Sequence, residues 1–187
     1  LVFSTTFHPV AGPAEKALCD LMESMPDIHF DVVTTLHTPE ARNAVCPVSN
    51  ATIYRVGYGN RFDKFLLPFH GAKIAKAIVQ KHQYLFAWAL MASYGALAAR
   101  ELKKYSDLPL LVTLADQTLE HVPPHVRFVM RRILDESDVV FATTNEQEKD
   151  ALSIADRAKL VQSVGAGDAF ANAIRFTYSA FLRKRIG

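Results

Sequence analysis

Seven short runs rich in β-branched and aromatic residues alternate with longer stretches of helical periodicity, and this alternation leaves few architectures open. Strands are expected at residues 1–6, 29–35, 52–56, 84–87, 109–114, 138–143 and 159–164. Helices are expected at 13–24, 62–80, 91–104, 126–135, 146–152 and 171–185. A β/α order of this kind predicts an α/β fold, a Rossmann-like three-layer sandwich with a mostly parallel sheet of about six or seven strands. Crossovers in such sheets are right-handed, and ligands collect at the carboxyl ends of the strands.

Local patterns support the individual elements. Pro13 suits the first position of a helix, and Ala14, Ala17, Leu18 and Leu21 then share one face. In the 62–80 segment, Phe65, Phe69, Ile74 and Ile78 fall roughly in helical period, with Lys64, Lys73, Lys76 and Lys81 on the polar side. Phe62, Phe65, Phe69 and Phe86 are accordingly expected in the core rather than at a membrane.

The 187 residues are 50% hydrophobic and 21% charged, which fits one domain, 1–187, with a proper core. A net charge of +2 gives no large field for nucleic acid. Cys19 and Cys46 are too few for a disulfide framework and fit reduced thiols in a cytoplasmic protein. The apolar stretch 84–99 falls short of a membrane span and contains Ser93, Tyr94 and Gly95. The chain starts at Leu1, without Met and inside a strand, which points to a piece of a longer protein.

The turn after the first strand reads Phe7-His8-Pro9-Val10-Ala11-Gly12-Pro13-Ala14-Glu15. Gly12 allows close backbone approach to a ligand, and the helix start offers free N–H groups and a positive dipole end suited to a diphosphate. The G-x-G-x-x-G dinucleotide fingerprint is absent, and Gly57-Tyr58-Gly59 also lacks the third glycine.

This opening resembles that of the large retaining GT-B glycosyltransferase family that uses nucleotide sugars (group 1, family 4 type). Pro9, Gly12, Ala14 and Glu15 match its pattern, and Pro13 replaces the usual second glycine. The similarity continues through the HFDVVTT strand, Tyr54-Arg55-Val56-Gly57, Leu111-Val112-Thr113, Ser137-Asp138-Val139-Val140 and Ala142-Thr143-Thr144. The resemblance implies two Rossmann-like domains facing each other across a cleft. The C-terminal one would bind most of the nucleotide-diphosphate sugar. This chain would be the N-terminal, acceptor-side domain, with the donor-binding domain absent from it. Alone it would hold no cofactor and carry out no transfer. Its partners would be a sugar or lipid-linked acceptor and its own second domain. Ala11, Gly12, Pro13 and Glu15 would form the acceptor and diphosphate loop.

Many family members carry a histidine just after the threonine of the fifth strand, and here Ala115 takes that place. Asp116 and His121 are the candidate substitutes, as partner or base of the acceptor hydroxyl. Ala115 favours a different class of function, an α/β binding domain that kept the fold and lost activity. His121 and His125 are separated by Pro123-Pro124, which breaks the single helical face a metal pair needs, so no metal site is expected.

The segment Gly165-Ala166-Gly167-Asp168 resembles the signature of ribokinase-like sugar kinases, in which glycines open a helix around a phosphate and the aspartate acts as base. It also fits the run from the last strand of a glycosyltransferase N-domain toward the second domain. Both readings of Gly165, Gly167 and Asp168 stand at this level.

Three basic clusters lie along the chain: Arg61 with Lys64, Lys73, Lys76 and Lys81; Arg127, Arg131 and Arg132; and Arg183-Lys184-Arg185. Each is either an ordinary solvated face or a peripheral contact with the inner face of a membrane.

Overall fold

The computed structural model describes residues 1–10, 12–114, 123–155, 161–163 and 168–186. The strands are β1 (Val2–Phe3), β2 (Phe30–Thr35), β3 (Ala51–Val56), β4 (Ala87–Ala89), β5 (Leu110–Thr113), β6 (Val139–Ala142) and β7 (Val161–Ser163). The helices are α1 (Pro13–Glu23), α2 (Ala72–Val79), α3 (Tyr94–Leu102), α4 (Pro124–Glu136), α5 (Asn145–Ile154) and α6 (Asp168–Ile186). The seven strands form one sheet in the order β3-β2-β1-β4-β5-β6-β7, and every neighbouring pair is parallel. The expected Rossmann-like α/β fold is thus the observed one.

Both faces of the sheet are buried, so successive strand residues feed two different cores. Val33, Leu110, Val112 and Val140 join the side covered by α2, α3, α4 and α5. Val32, Leu111, Val139 and Phe141 join the side covered by α1 and α6. On that second side Leu18 and Met22 of α1 and Ile174 of α6 are almost wholly buried. Each such side chain contributes roughly 1.5–3 kcal/mol.

Three elements differ from the sequence pattern. First, β4 lies at Ala87–Ala89 rather than at 84–87. Trp88 anchors this register: it is 1% exposed, and its indole N–H donates to Thr113 Oγ1 at 2.8 Å. Second, β1 is only two residues long; past it the Ser4 N–H still donates to the Val33 carbonyl, while the Ser4, Thr5 and Thr6 hydroxyls make side-chain bonds. Third, the 62–80 segment is not one α-helix. It opens with a tight turn at Asp63–Phe65, widens to a π-helical turn at Leu67–Gly71 and becomes α2 at Ala72.

The inward face of that segment also differs. Leu67, Gly71, Ala72, Ala75 and Ile78 are buried, whereas Phe62, Phe65 and Phe69 are 58%, 51% and 68% exposed. The expectation that these three phenylalanines build the core is incorrect. The cause is close packing against α3, which presents Ala96, Ala98 and Ala99. A methyl group at Gly71 would stand 3.3 Å from Val33 Cγ1 and 3.5 Å from Ala98 Cβ. Small residues therefore face inward and the rings face out. Phe86, by contrast, packs in the second core, 5.7 Å from the Phe181 ring.

No helix among the described residues is long and apolar enough to cross a membrane.

Candidate functional site

The strand order reverses at β1, whose neighbours are β2 on one side and β4 on the other. Chain connections leave β1 toward one face and β4 toward the other, so a crevice opens at their carboxyl ends. Ser4, Thr5 and Thr6 follow β1 at this edge, and Ser93 leads into α3 just past β4. The Thr5 and Ser93 hydroxyls share a hydrogen bond of 2.9 Å, and the Gly95 N–H donates to Thr5 Oγ1 at 3.2 Å. Thr35 at the end of β2 donates its hydroxyl to the Thr5 carbonyl at 2.7 Å. The floor of the crevice is therefore a hydroxyl network that joins the ends of β1 and β2 to the start of α3.

Gly12 caps α1 with an extended backbone, and Pro13 takes the first helical position as the sequence pattern predicts. Glu15 lies in the first turn and is 3% exposed. Its carboxylate accepts from Thr6 Oγ1 at 2.9 Å, Ser4 Oγ at 3.4 Å and the Gly12 N–H at 2.9 Å. A buried carboxylate is stable only when so satisfied, and these three donors fix the loop against the end of β1. Glu15 thus braces the turn that Gly12 and Pro13 present. An open groove of about 520 Å³ runs past that turn, lined by His8, Gly12, Pro13, Lys16, Cys19 and Pro47. Arg55 of β3 reaches the same region, donating to the His8 carbonyl at 3.0 Å and to the Ala44 carbonyl at 3.2 Å. Burial holds the Arg55 guanidinium below its usual value.

A second brace holds the loop after β3. Asp63 is 1% exposed and accepts the backbone N–H groups of Tyr58, Gly59 and Asn60 at 3.0, 2.8 and 3.1 Å. Burial pushes its carboxyl up, but the N–H groups of Tyr58, Asn60, Gly59 and His37 outweigh that and hold it below the ordinary carboxylate value. Gly57 and Gly59 make the loop possible with φ of 115° and 93°. A methyl group at Gly57 would come within 2.2 Å of Asp63 Cγ. The same carboxylate therefore couples the loops after β2 and β3 at the carboxyl edge.

The remaining candidates fall differently. Ala11, Asp116, His121, Gly165 and Gly167 lie outside the described residues. β5, beside β4, ends at Thr113 at the carboxyl edge of the sheet. Asp168 is the first residue of α6. Asp138, a member of the resembling motifs, sits at the opposite, amino edge. There it accepts the Leu110 N–H at 2.7 Å and pairs with Lys103 at 2.8 Å. That part of the motif serves the sheet. Among the described residues no group of three or more His, Cys, Asp or Glu is placed to hold a metal ion. A cavity of about 270 Å³ opens between Met25, His29, Tyr84 and Phe86. It lies at the amino ends of the strands, away from the edge where parallel sheets bind ligands.

Sequence reasoning missed Ser4, Thr5, Thr6, Ser93 and Asp63. The Ser-Thr-Thr run at a strand end is a visible signal for the first three. Ser93 has none, since its partner Thr5 is 88 residues away.

No protein-family model and no curated protein matches the sequence. Solved structures do match. A sucrose-phosphate synthase piece from Thermosynechococcus elongatus superposes with a TM-score of 0.73 at 15% identity, covering 97% of this chain and 99% of that one. A longer sucrose-phosphate synthase structure from the same organism gives 0.68 at 16% identity, covering 89% of this chain and 44% of that one. Anabaena Alr3699/HepE, solved in complex with UDP and glucose, gives 0.61 at 13% identity, with coverage of 89% and 44%. The chain thus spans less than half the length of the two longer structures. At these identities the likeness establishes the shared Rossmann-like fold.

Proposed function

We propose that this chain is the acceptor-side half of a nucleotide-sugar-dependent, retaining glycosyltransferase. The observation that carries the reading is fold likeness over 97% of the chain to a sucrose-phosphate synthase piece, with a crevice at the carboxyl edge. A second likeness, to a protein solved with UDP and glucose, supports a nucleoside-diphosphate sugar as donor. The donor-binding domain would lie outside these 187 residues. The turn at Gly12 and Pro13 would face the diphosphate and the transferred sugar, with Glu15 and Arg55 as its braces. Asp116 and His121, which follow β5 in the sequence, would serve the acceptor hydroxyl. In the reaction the bond from the anomeric carbon to the diphosphate breaks, a bond to the acceptor oxygen forms, and the hydroxyl proton leaves with the diphosphate or a base. The acceptor would be a glycan or a lipid-linked sugar, met in the cytoplasm or at the inner face of a membrane.

The test is transfer from a panel of radiolabelled nucleotide sugars by the protein that carries this chain together with its second domain. Transfer with net retention supports the reading. A protein that binds nucleotide sugars without turnover would instead be the binding domain that Ala115 suggests. ATP-dependent phosphorylation of a free sugar would favour the kinase reading of Gly165, Gly167 and Asp168.

A further inference from the structure

A pocket of about 300 Å³ opens at the amino ends of β2 and β3, the strand ends opposite the crevice. Its floor is Asp31, which is 6% exposed. Asp31 and Val33 are two residues apart on β2, so both face the side covered by α2. Tyr54 and Tyr84 wall the pocket, and the exposed His29, Thr52, His82 and Gln83 form its rim. The Tyr84 hydroxyl donates to Asp31 Oδ2, and Tyr54 is hydrogen-bonded to the same carboxylate. Burial, and then Asp31, push both phenols up, so both stay protonated donors. His29 Nε2 stands 3.7 Å from Asp31 Oδ1, beyond hydrogen-bonding range, and instead shares a hydrogen bond of 2.9 Å with Thr52 Oγ1. A carboxylate accepts about four hydrogen bonds, so Asp31 keeps acceptor positions unused.

The charge of Asp31 is not matched either. No lysine or arginine lines the pocket. Arg185 of α6 is engaged behind the wall, donating to the Tyr84 carbonyl at 2.7 Å and to Gln83 Oε1 at 3.3 Å. The Leu1 amino group also feels Asp31, but burial pushes it down to about 5, so it is uncharged at neutral pH. A buried negative charge between two aromatic rings therefore faces the pocket without a permanent cation.

We propose that this pocket binds a small organic ammonium ion, with its N–H groups on Asp31 and its carbon frame against the Tyr54 and Tyr84 rings. Charge selects this class. An anion would be repelled, and a neutral polyol would leave the carboxylate uncompensated. A hard divalent cation takes six or more oxygen ligands, and one carboxylate beside two protonated phenols is too few. An ammonium gains both the charge-assisted hydrogen bond and the ring faces. The volume is at the small end of ligand pockets, so the guest is about the size of a single ring. This is a second site, separate from the crevice, and the proposal does not rest on the transferase reading.

Calorimetric titration of the full-length protein at pH 8 tests it, with cyclohexylammonium against cyclohexanol, its neutral counterpart of the same shape. The ammonium should bind about tenfold or more tightly than the alcohol. Asp31→Asn should bring the ammonium down to the level of the alcohol. His29→Lys should weaken ammonium binding by about tenfold or more, because it fixes a permanent cation beside Asp31. His29 is exposed, so this variant should keep the parent circular dichroism spectrum and decides the matter alone if Asp31→Asn does not fold. Equal affinity for the two probes overturns the proposal, as does binding of neither. So does parent-like ammonium binding by His29→Lys or by a folded Asp31→Asn.

Discussion

The Thr6 hydroxyl donates to Glu15 Oε1 at 2.9 Å, while the other oxygen of the same carboxylate holds the Gly12 N–H. The end of β1 and the cap of α1 are thus tied through one buried group. Glu15→Ala leaves the Gly12 N–H and two hydroxyls without that partner and should cost about 2–3 kcal/mol. Glu15→Gln keeps most of the shape and should cost about 1 kcal/mol. Urea unfolding midpoints at constant slope would measure both. An unchanged midpoint for Glu15→Ala would mean that the loop does not depend on this brace.

Asp63 should make stability depend on pH. Its folded carboxyl titrates below the ordinary value, so its contribution is complete above the unfolded value, about pH 4, and fades as pH falls through the folded one. Asp63→Asn should cost about 2–3 kcal/mol at neutral pH. The gap between the two proteins should close below about pH 4. Parallel urea titrations at neutral and acid pH would show a constant gap if the carboxylate were not the source.

How far these features were legible in the sequence depends on their reach. Period-two and period-three-to-four patterns are local, so the succession of strands and helices along the chain and the placement of most elements could be read directly, whereas the order of the strands within the sheet was not. The Gly12 and Glu15 pair was also visible, being three residues apart. The orientation of the 62–79 segment was not. Its buried face is set by how closely α3 approaches, and that distance depends on Ala96, Ala98 and Ala99 in a different element. Hydrophobicity ranks Phe65 above Gly71, whereas the space available ranks them the other way. The Thr5 and Ser93 contact and the capture of the His37 N–H by Asp63 likewise exist only once strands are assembled.

Gly95 tests the closeness of α3 to β1. A methyl group there would lie 3.1 Å from the Ser4 carbonyl carbon and 3.2 Å from the Phe3 oxygen, both backbone atoms with little freedom to move. Gly95→Ala gains helix propensity but should still destabilise the protein by about 1–3 kcal/mol through overpacking. A stabilised variant in thermal or urea unfolding would show that the contact relaxes.

Cys19 lines the groove beside Gly12, yet its thiol should be slow to react. Burial, followed by the charges of Cys46, Asp20, Glu23 and Glu15, pushes it up to about 11. Iodoacetamide at pH 8 should label Cys19 roughly tenfold or more slowly in the folded protein than in urea. Peptide mass spectrometry follows the site directly, and equal rates would contradict the burial.

The central claim is that these residues are half of a sugar-transferring site whose donor half lies elsewhere. Transfer from radiolabelled nucleotide sugars, measured for this chain alone and for the protein with its second domain, tests it most directly. The account predicts no turnover by the chain alone, since it puts the main donor surface in a second domain, and turnover once both domains are present. It also predicts that Asp168→Asn in the two-domain protein has only a modest effect. Phosphorylation of a simple sugar by this chain with ATP, abolished by Asp168→Asn, would contradict the account, as would a two-domain protein inert toward every nucleotide sugar.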